Sequence, residues 1–209
     1  MKINTLIFSI ILFLSTLLTL PAYSAQQWLP FIPGTDSAEP VDISIVSSNV
    51  DEIIVNFSFP GMFTDHADGS IYTQISIPDC GYTTTIGKPQ LPMLGRFIAI
   101  PDGASVSVVI SNENPIDLDN YTIYPAQAPL ADSDSSNPTE IVADSEIYGI
   151  NPPNQFFPSS NYSLGSLNII RGCSVRIFRL FPVQYNPYSR IIRAFSNIRV
   201  RLYALDCRC

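Results

Sequence analysis

Residues 87–101 read GKPQLPMLGRFIAIP, and this stretch indicates the kind of fold that the chain adopts. Its glycine and its prolines at 89 and 92 disfavour helix and favour an extended approach. Residues 96–100 then predict a short strand that Pro101 closes. Alone, the stretch predicts only one strand that is preceded by prolines. The fold class must be predicted from the segments on either side of it.

Alternating apolar and polar residues recur on both sides of this stretch, which is typical of strands. The composition favours Ile, Val, Ser, Tyr, Phe and Pro, and helical periodicity is absent over any useful window. The predicted strands are 41–46, 52–59, 71–77, 96–100, 104–111, 118–124, 173–183, 190–195 and 198–205. Several short strands at such spacing predict an all-β chain, an antiparallel β-sandwich of jelly-roll-like type with one long Pro-rich loop.

The chain begins with the pattern of an export signal. Lys2 precedes an uncharged apolar run, and small residues flank a cleavage position after Ser24. A single membrane anchor is the alternative, since the run is nearly long enough to span a bilayer. We expect a signal peptide at 1–24, a linker or loosely packed N-terminal arm at 25–40, a β-domain at 41–205 and a tail at 206–209. The domain is then secreted, at the periplasm, cell surface or beyond, with no membrane attachment after cleavage.

Residues 125–160 interrupt the rhythm of the strands. They hold six prolines and a soluble run at 131–137 that reads ADSDSSN. A loop of this length inside a compact domain is uncommon and is usually functional or disordered. This segment is therefore the first place to look for a binding site.

Charge is unevenly divided along the chain, although the net value is −7. Three basic and seventeen acidic residues precede position 147, whereas eight arginines and one acid follow it. Basic strands lying beside acidic strands of one sheet would explain the division, and so would a face that docks an oppositely charged partner. The acidic total makes nucleic acid an improbable partner for an exported chain.

Catalytic and metal-binding patterns are sparse. The single histidine, His66, sits in a predicted surface turn, and no phosphate loop or zinc-protease motif occurs. We expect no cofactor and no metal, because no Cys-x-x-Cys and no calcium-loop spacing is present. Four cysteines allow three disulfide pairings, of which Cys80 with Cys173 is one candidate, and the pairing stays open.

The proline-framed pieces occur in a fixed order that resembles a known family. GKPQLP at 87–92 is followed by YPAQAP at 124–129, FFP at 156–158, RG at 171–172 and PVQYNP at 182–187, before the strand at 198–203. This order resembles the N-terminal propeptide domain of gingipain-type cysteine peptidases over roughly residues 41–205. No single piece is specific, but the ordered set is.

The resemblance implies a β-sandwich prodomain that precedes a caspase-like peptidase domain, assists its folding and keeps it latent. In that family a loop enters the active-site cleft, and the corresponding positions here are Leu130, Ala131, Asp132, Ser133 and Asp134. Arginine-specific members present a basic side chain to an acidic pocket. This loop offers two acids and no Lys or Arg, so the residue that fills the pocket is not identified.

The peptidase domain itself is absent from this chain, so we expect no catalytic activity from it. The chain would be a fragment of a longer precursor or a prodomain that acts in trans on a gingipain-type cysteine peptidase. The alternative is a secreted β-sandwich adhesion or ligand-binding module, with a groove lined by Tyr121, Tyr124 and Tyr162.

Overall fold

The computed structural model describes residues 26–49, 52–66, 70–101, 103–129 and 140–206. Within them the chain is built from β-strands and one short helix, α1 (Ser145–Tyr148). The strands are β1 (Gln27–Pro30), β2 (Asp42–Ser48), β3 (Glu52–Ser58), β4 (Gly61–His66), β5 (Thr73–Ser76), β6 (Gly81–Tyr82), β7 (Pro92–Ala99), β8 (Ala104–Leu118), β9 (Tyr162–Ile170), β10 (Cys173–Leu180), β11 (Val183–Asn186) and β12 (Ile191–Asp206). The predicted all-β class is confirmed.

Two antiparallel sheets form the sandwich. In the first, β12 pairs with β8 along its length, while its other side pairs with β11 and then with β3, and β2 follows β3. The second has the order β6-β7-β10-β9. A smaller third sheet has the order β1-β4-β5. Inner-face residues of both main sheets share one core, so the sheets pack face to face.

Strand β12 shows why the sequence pattern works. Ile198 and Val200 are buried in the core, whereas Arg199 and Arg201, which alternate with them, are exposed. Successive side chains of a strand point to opposite faces, so apolar residues at every second position place one face inward. The predicted division of this strand into an apolar and a basic face is correct.

Several strands have bounds that differ from the prediction. β8 and β12 each run without a break where two strands were expected at 104–124 and 190–205, and 119–124 lies outside β8. The strand predicted at 173–183 ends at Leu180, and β11 begins after Pro182. A proline has no N–H to donate to a ladder, so it separates the two strands.

The arm at 25–40 packs more tightly than expected. Residues of β1 pair with β4, the Trp28 ring lies edge-on to Phe63 with centroids 5.0 Å apart, and Phe31 is buried in the core. A Cβ on Gly61 would meet the carbonyl oxygen of Leu29, so glycine allows β1 to approach. Strands β1, β4 and β9 were not predicted because their sequences do not alternate regularly between apolar and polar residues. The predicted signal peptide and its cleavage after Ser24 lie outside the described residues.

The candidate disulfide between Cys80 and Cys173 is not formed, and both thiols are free. Cys80 precedes β6, which pairs with β7 at Met93, whereas Cys173 begins β10 beyond its pairing with Ala99. At the rise of an extended strand this places the two residues roughly 20 Å apart along β7, too far for a disulfide. Cys80 is half-buried, and burial raises the pKa of its thiol to about 12.

Some of the late arginines pair with acidic residues from the earlier part of the chain within the first sheet. The Arg193 guanidinium donates to both carboxylate oxygens of Asp117 at 2.8 Å, from β12 to β8. Arg201 lies 3.2 Å from the Glu52 carboxylate across β12 and β3. Two late arginines therefore face acids on neighbouring strands, which supports internal complementarity for these pairs.

Candidate functional site: the base of the proline-rich loop

The predicted inhibitory residues Leu130, Ala131, Asp132, Ser133 and Asp134 lie outside the described residues. The structure does describe the chain on both sides of them, residues 121–129 and 140–148. We call these two segments together the loop base. The loop base therefore sets the positions of the two residues, 129 and 140, that this segment connects.

Residues 87–90 hold both segments of the loop base with main-chain hydrogen bonds. The Gly87 amide donates to the Ala126 carbonyl at 2.8 Å, and the Ala126 amide donates back to the Lys88 carbonyl at 2.8 Å. On the returning segment, the Asp144 amide donates to the Gly87 carbonyl at 3.0 Å. The Gln90 amide extends the contact by donating to the Tyr124 carbonyl at 2.9 Å. Residues 87–90 thus support both segments of the loop base.

Gly87 is suited to this position for two reasons. Its φ of +80° lies in the left-handed region, which side chains disfavour. A Cβ there would also lie 3.1 Å from the Asp144 amide nitrogen. Glycine is therefore required both by the turn and by the close approach of the returning segment.

An ion pair adds to the main-chain contacts. The Lys88 ammonium lies 2.6 Å from the Asp144 carboxylate and 3.8 Å from Glu146. Asp144 also caps α1, since its Oδ1 accepts a hydrogen bond from the Glu146 amide at 2.8 Å. The Lys88 hydrogen bond, and then that of the Glu146 amide, lower the pKa of the Asp144 carboxyl. Asp144 is therefore charged at neutral pH and ties α1 to the 87–90 stretch.

The Gln127 side chain joins the two segments directly. Its Nε2 donates to the carbonyls of Val142 at 2.8 Å and Pro125 at 2.9 Å, and its Oε1 accepts from the Val142 amide at 2.9 Å. The amide side chain thus pairs with Val142 as a neighbouring strand would. Pro125 and Pro129 have no N–H groups, so the main chain at these positions has no donor. A side-chain donor between two such prolines is the feature of the sequence that could have indicated a role for Gln127. Gln127 lies within the YPAQAP segment, and no role was predicted for it from the sequence.

Aromatic side chains attach the loop base to the core. The Tyr148 hydroxyl donates to the Ile123 carbonyl at 2.8 Å, and burial raises the pKa of that hydroxyl. The Tyr72 ring contacts the rings of Tyr124 and Tyr148 edge-on, at centroid distances of 6.1 and 5.8 Å. Ile123 is fully buried. The loop base is therefore part of the packed domain.

The other residues singled out from the sequence are placed apart from one another. His66 is exposed at the end of β4, where its Nδ1 lies 3.1 Å from the Thr73 hydroxyl, so it belongs to a strand and not to the predicted turn. Tyr162 stacks on Phe178, whereas Tyr124 contacts Tyr72. Tyr121 is partly buried, and its carbonyl accepts from the Tyr185 hydroxyl.

No His, Cys, Asp or Glu group large enough for a metal site is gathered in the part of the chain that the structure describes. A search of those same residues for a long apolar helix of membrane-spanning length found none.

Comparison with solved structures gives the same fold. A structure concerned with the zymogenic latency of gingipain K from Porphyromonas gingivalis superposes with a TM-score of 0.72. It is 17% identical and covers 88% of this chain and 100% of its own. The complex of Porphyromonas gingivalis RgpB pro- and mature domains superposes with a TM-score of 0.68 at 20% identity, covering 80% of this chain and 85% of that one.

Sequence comparison also finds relatives from Porphyromonas gingivalis. Gingipain R1 of Porphyromonas gingivalis is 28% identical over 115 residues, which are 54% of this chain and 11% of that protein. Lys-gingipain of a Porphyromonas gingivalis strain is 24% identical over 139 residues, 64% of this chain and 8% of that protein. The chain thus spans about a tenth of the length of these relatives. The Propeptide_C25 family model matches residues 35–205. The chain therefore belongs to the Propeptide_C25 family, and its match is to the propeptide domain of gingipain-type peptidases and not to a catalytic domain.

Proposed function

We propose that this domain binds a gingipain-type cysteine peptidase domain and keeps it latent, with residues 130–137 occluding the active site. The observation that carries this proposal is the loop base. Both ends of the segment are tied to residues 87–90, and Gln127 joins them to each other. Holding the two ends of a binding loop in advance reduces the entropy lost when it binds.

The loop sequence sets a limit on the way the peptidase is blocked. Residues 130–139 read LADSDSSNPT, with two acids and no basic residue. A charge-assisted pair between a basic loop side chain and an acidic specificity pocket is therefore not available from this segment. We expect the block to be steric, or to suit a peptidase whose pocket takes a side chain other than Lys or Arg.

The sequence and the family resemblance support the remaining parts of the proposal. The domain is not itself catalytic, it assists the folding of the peptidase domain, and it is exported through the signal peptide at residues 1–24. It acts in cis within a longer precursor or in trans as a separate chain.

The proposal is tested by mixing the domain from residue 25 onward with gingipain-type peptidase domains from the same genome. The native domain should inhibit peptide hydrolysis and form a complex at micromolar concentration. A variant whose residues 130–139 are replaced by a Gly/Ser segment of equal length should bind without inhibiting. If the native domain neither binds nor inhibits, the proposal is wrong. If the replaced variant inhibits equally well, the loop is not the inhibitory element.

A further inference from the structure

An apolar cleft opens between the two main sheets, away from the loop base. It has a volume of about 360 Å³. Its first wall is formed by β2, β3 and β12, and its second by the later half of β7 with Phe178 of β10. Pockets of this size with mainly apolar walls are typical of sites that receive a ligand or an anchoring side chain.

The first wall includes apolar residues that point toward the core side of the sheet but are exposed to solvent. Ile43 pairs with Phe57 and Ile45 with Val55, so each shares a sheet face with a residue that packs in or against the core. Phe57 is buried, yet Ile45 is 69% exposed. β2 is the last strand of its sheet, and the cleft separates its inner face from β7.

The second wall is open because β6 is short. β6 pairs only with Met93 and Pro92 at the start of β7, so the later residues of β7 form an edge of the described sheet. Ile98 lines the cleft there, and the adjacent Phe97 is 67% exposed. Exposed apolar groups gathered at a groove, with unpaired strand edges beside it, are a feature of interaction sites.

A positive charge marks the rim of the cleft. Arg96 lines it and is exposed, and its Nη1 donates to the neighbouring Gly95 carbonyl at 2.9 Å. Among the described residues Arg96 forms no ion pair, unlike Arg193 and Arg201. The surface therefore complements an apolar side chain with an acidic group beside it.

The cleft lies within reach of a partner that also contacts the loop base. Gln90 belongs to the stretch that holds the loop base, and Ile98 lines the cleft eight residues further along the same extended segment. At the rise of a strand this is about 26 Å. A standard protein interface buries about 800 Å² on each partner and is therefore about 30 Å across.

We propose that this cleft is a second docking surface for the peptidase domain, which inserts an apolar side chain between β2 and β7 and places an acidic residue against Arg96. The inference rests on the proposed function, since it names where the same partner is held outside the loop. The cleft supplies affinity, and the loop supplies the block.

The test measures binding to a gingipain-type peptidase domain from the same genome whose nucleophilic cysteine is replaced by alanine. Ile45→Glu and Arg96→Glu should each weaken binding at least tenfold, because one places a charge in the apolar cleft and the other reverses the rim charge. Ile169→Glu and Arg171→Glu are matched controls, since both residues are exposed and lie at the β9–β10 end, outside the cleft lining. Both controls should bind as the native domain does.

The outcomes separate this inference from the proposed function. If Ile45→Glu and Arg96→Glu bind like their controls while the native domain still inhibits, the docking surface is wrong and the proposed function stands. If the native domain does not bind at all, both are wrong. Light scattering of the free domain covers another occupant: a dimer that Ile45→Glu converts to a monomer would assign the cleft to a second copy and overturn the inference.

Discussion

The two ends of the same sandwich differ in how well they are covered. At the closed end, Leu94 of β7 and Leu180 of β10 are buried to 1% exposure or less. At the open end, Ile45 of β2 is 69% exposed, and Ile98, which lies on the same face of β7 as Leu94, is only partly buried. Strand β7 runs through both ends, so the difference does not arise from the strand itself.

The difference arises because other segments of the chain pack over one end of the sandwich and not over the other. At the closed end, β11 and residues 156–158 lie against the sandwich, and the amides of Phe157 and Tyr185 each donate to the other's carbonyl at 2.8 Å. The loop base packs beside them through Tyr148. At the open end β6 is too short to cover β7. The closed end therefore holds the loop base against the core, while the open end leaves apolar surface uncovered.

The largest expected effect is the loss of a core side chain at the closed end. Leu180→Ala should lower the free energy of unfolding by about 2–5 kcal/mol, because a cavity remains where a fully buried side chain was. Ile45→Ala at the open end should lower it by only about 0.5 kcal/mol. Urea unfolding followed by tryptophan fluorescence measures both. Equal losses would contradict the division into a closed and an open end.

The next effect concerns the support of the loop base. Gly87→Ala should lower the free energy of unfolding by about 1–2 kcal/mol, because a Cβ meets a positive φ. Gly103→Ala is the matched control, since Gly103 also has a positive φ (+74°) but open space around a Cβ. The excess loss in Gly87→Ala measures the contact with Asp144. No excess would mean that the returning segment does not depend on that approach.

A smaller effect is expected from the side chain that joins the two segments of the loop base. Gln127→Ala should lower the free energy of unfolding by about 1 kcal/mol, since it removes three hydrogen bonds at a partly exposed site. Hydrogen exchange of the Val142 amide should become faster, because that amide loses its acceptor. Gln155→Ala, at an exposed glutamine, should leave this exchange rate unchanged. An unchanged rate in Gln127→Ala would show that the Gln127 side chain does not hold Val142 in place.

The smallest effect is a dependence on pH. The folded-state pKa of Asp144 is lowered, so its stabilisation is present above the unfolded pKa of about 3.9 and is lost as pH falls through the folded value. Asp144→Asn keeps an oxygen to cap α1 but removes the charge, and should cost less than about 1 kcal/mol at neutral pH. The two proteins should begin to converge in stability below pH 4 and should be equally stable once the pH lies below the folded pKa.

Asp117→Asn serves as the control for this pH effect. Its carboxyl pKa is also lowered, first by the hydrogen bond from Arg193, but it lies in the sheet between β8 and β12. Asp117→Asn should likewise reduce the dependence of the free energy of unfolding on pH. If Asp144→Asn retained the full acid dependence of the native chain, the Lys88 pair would not be its source.

Part of the site could be read from the sequence. The prolines and the glycine of residues 87–101, with the break in rhythm at 125–160, pointed to a scaffold and a long loop. The hydrogen bonds between Gly87, Ala126 and Asp144 agree with this prediction, because they join the 87–90 stretch to both segments of the loop base. The roles of Lys88 and Gln127 could not be read, because their partners lie many residues away along the chain. The predicted roles of residues 130–134 remain predictions.

The sequence by itself determined the all-β class, the inward face of β12 and the order of proline-framed pieces that marks the family. These features depend on local geometry, since a strand alternates its faces and a proline limits its own residue and the one before it. Only the tertiary structure decided that β1 joins the domain, that Cys80 and Cys173 lie apart, and that the sandwich is open beside Ile45. Such features depend on which strands cover which faces, and coverage is set by contacts between residues far apart in sequence.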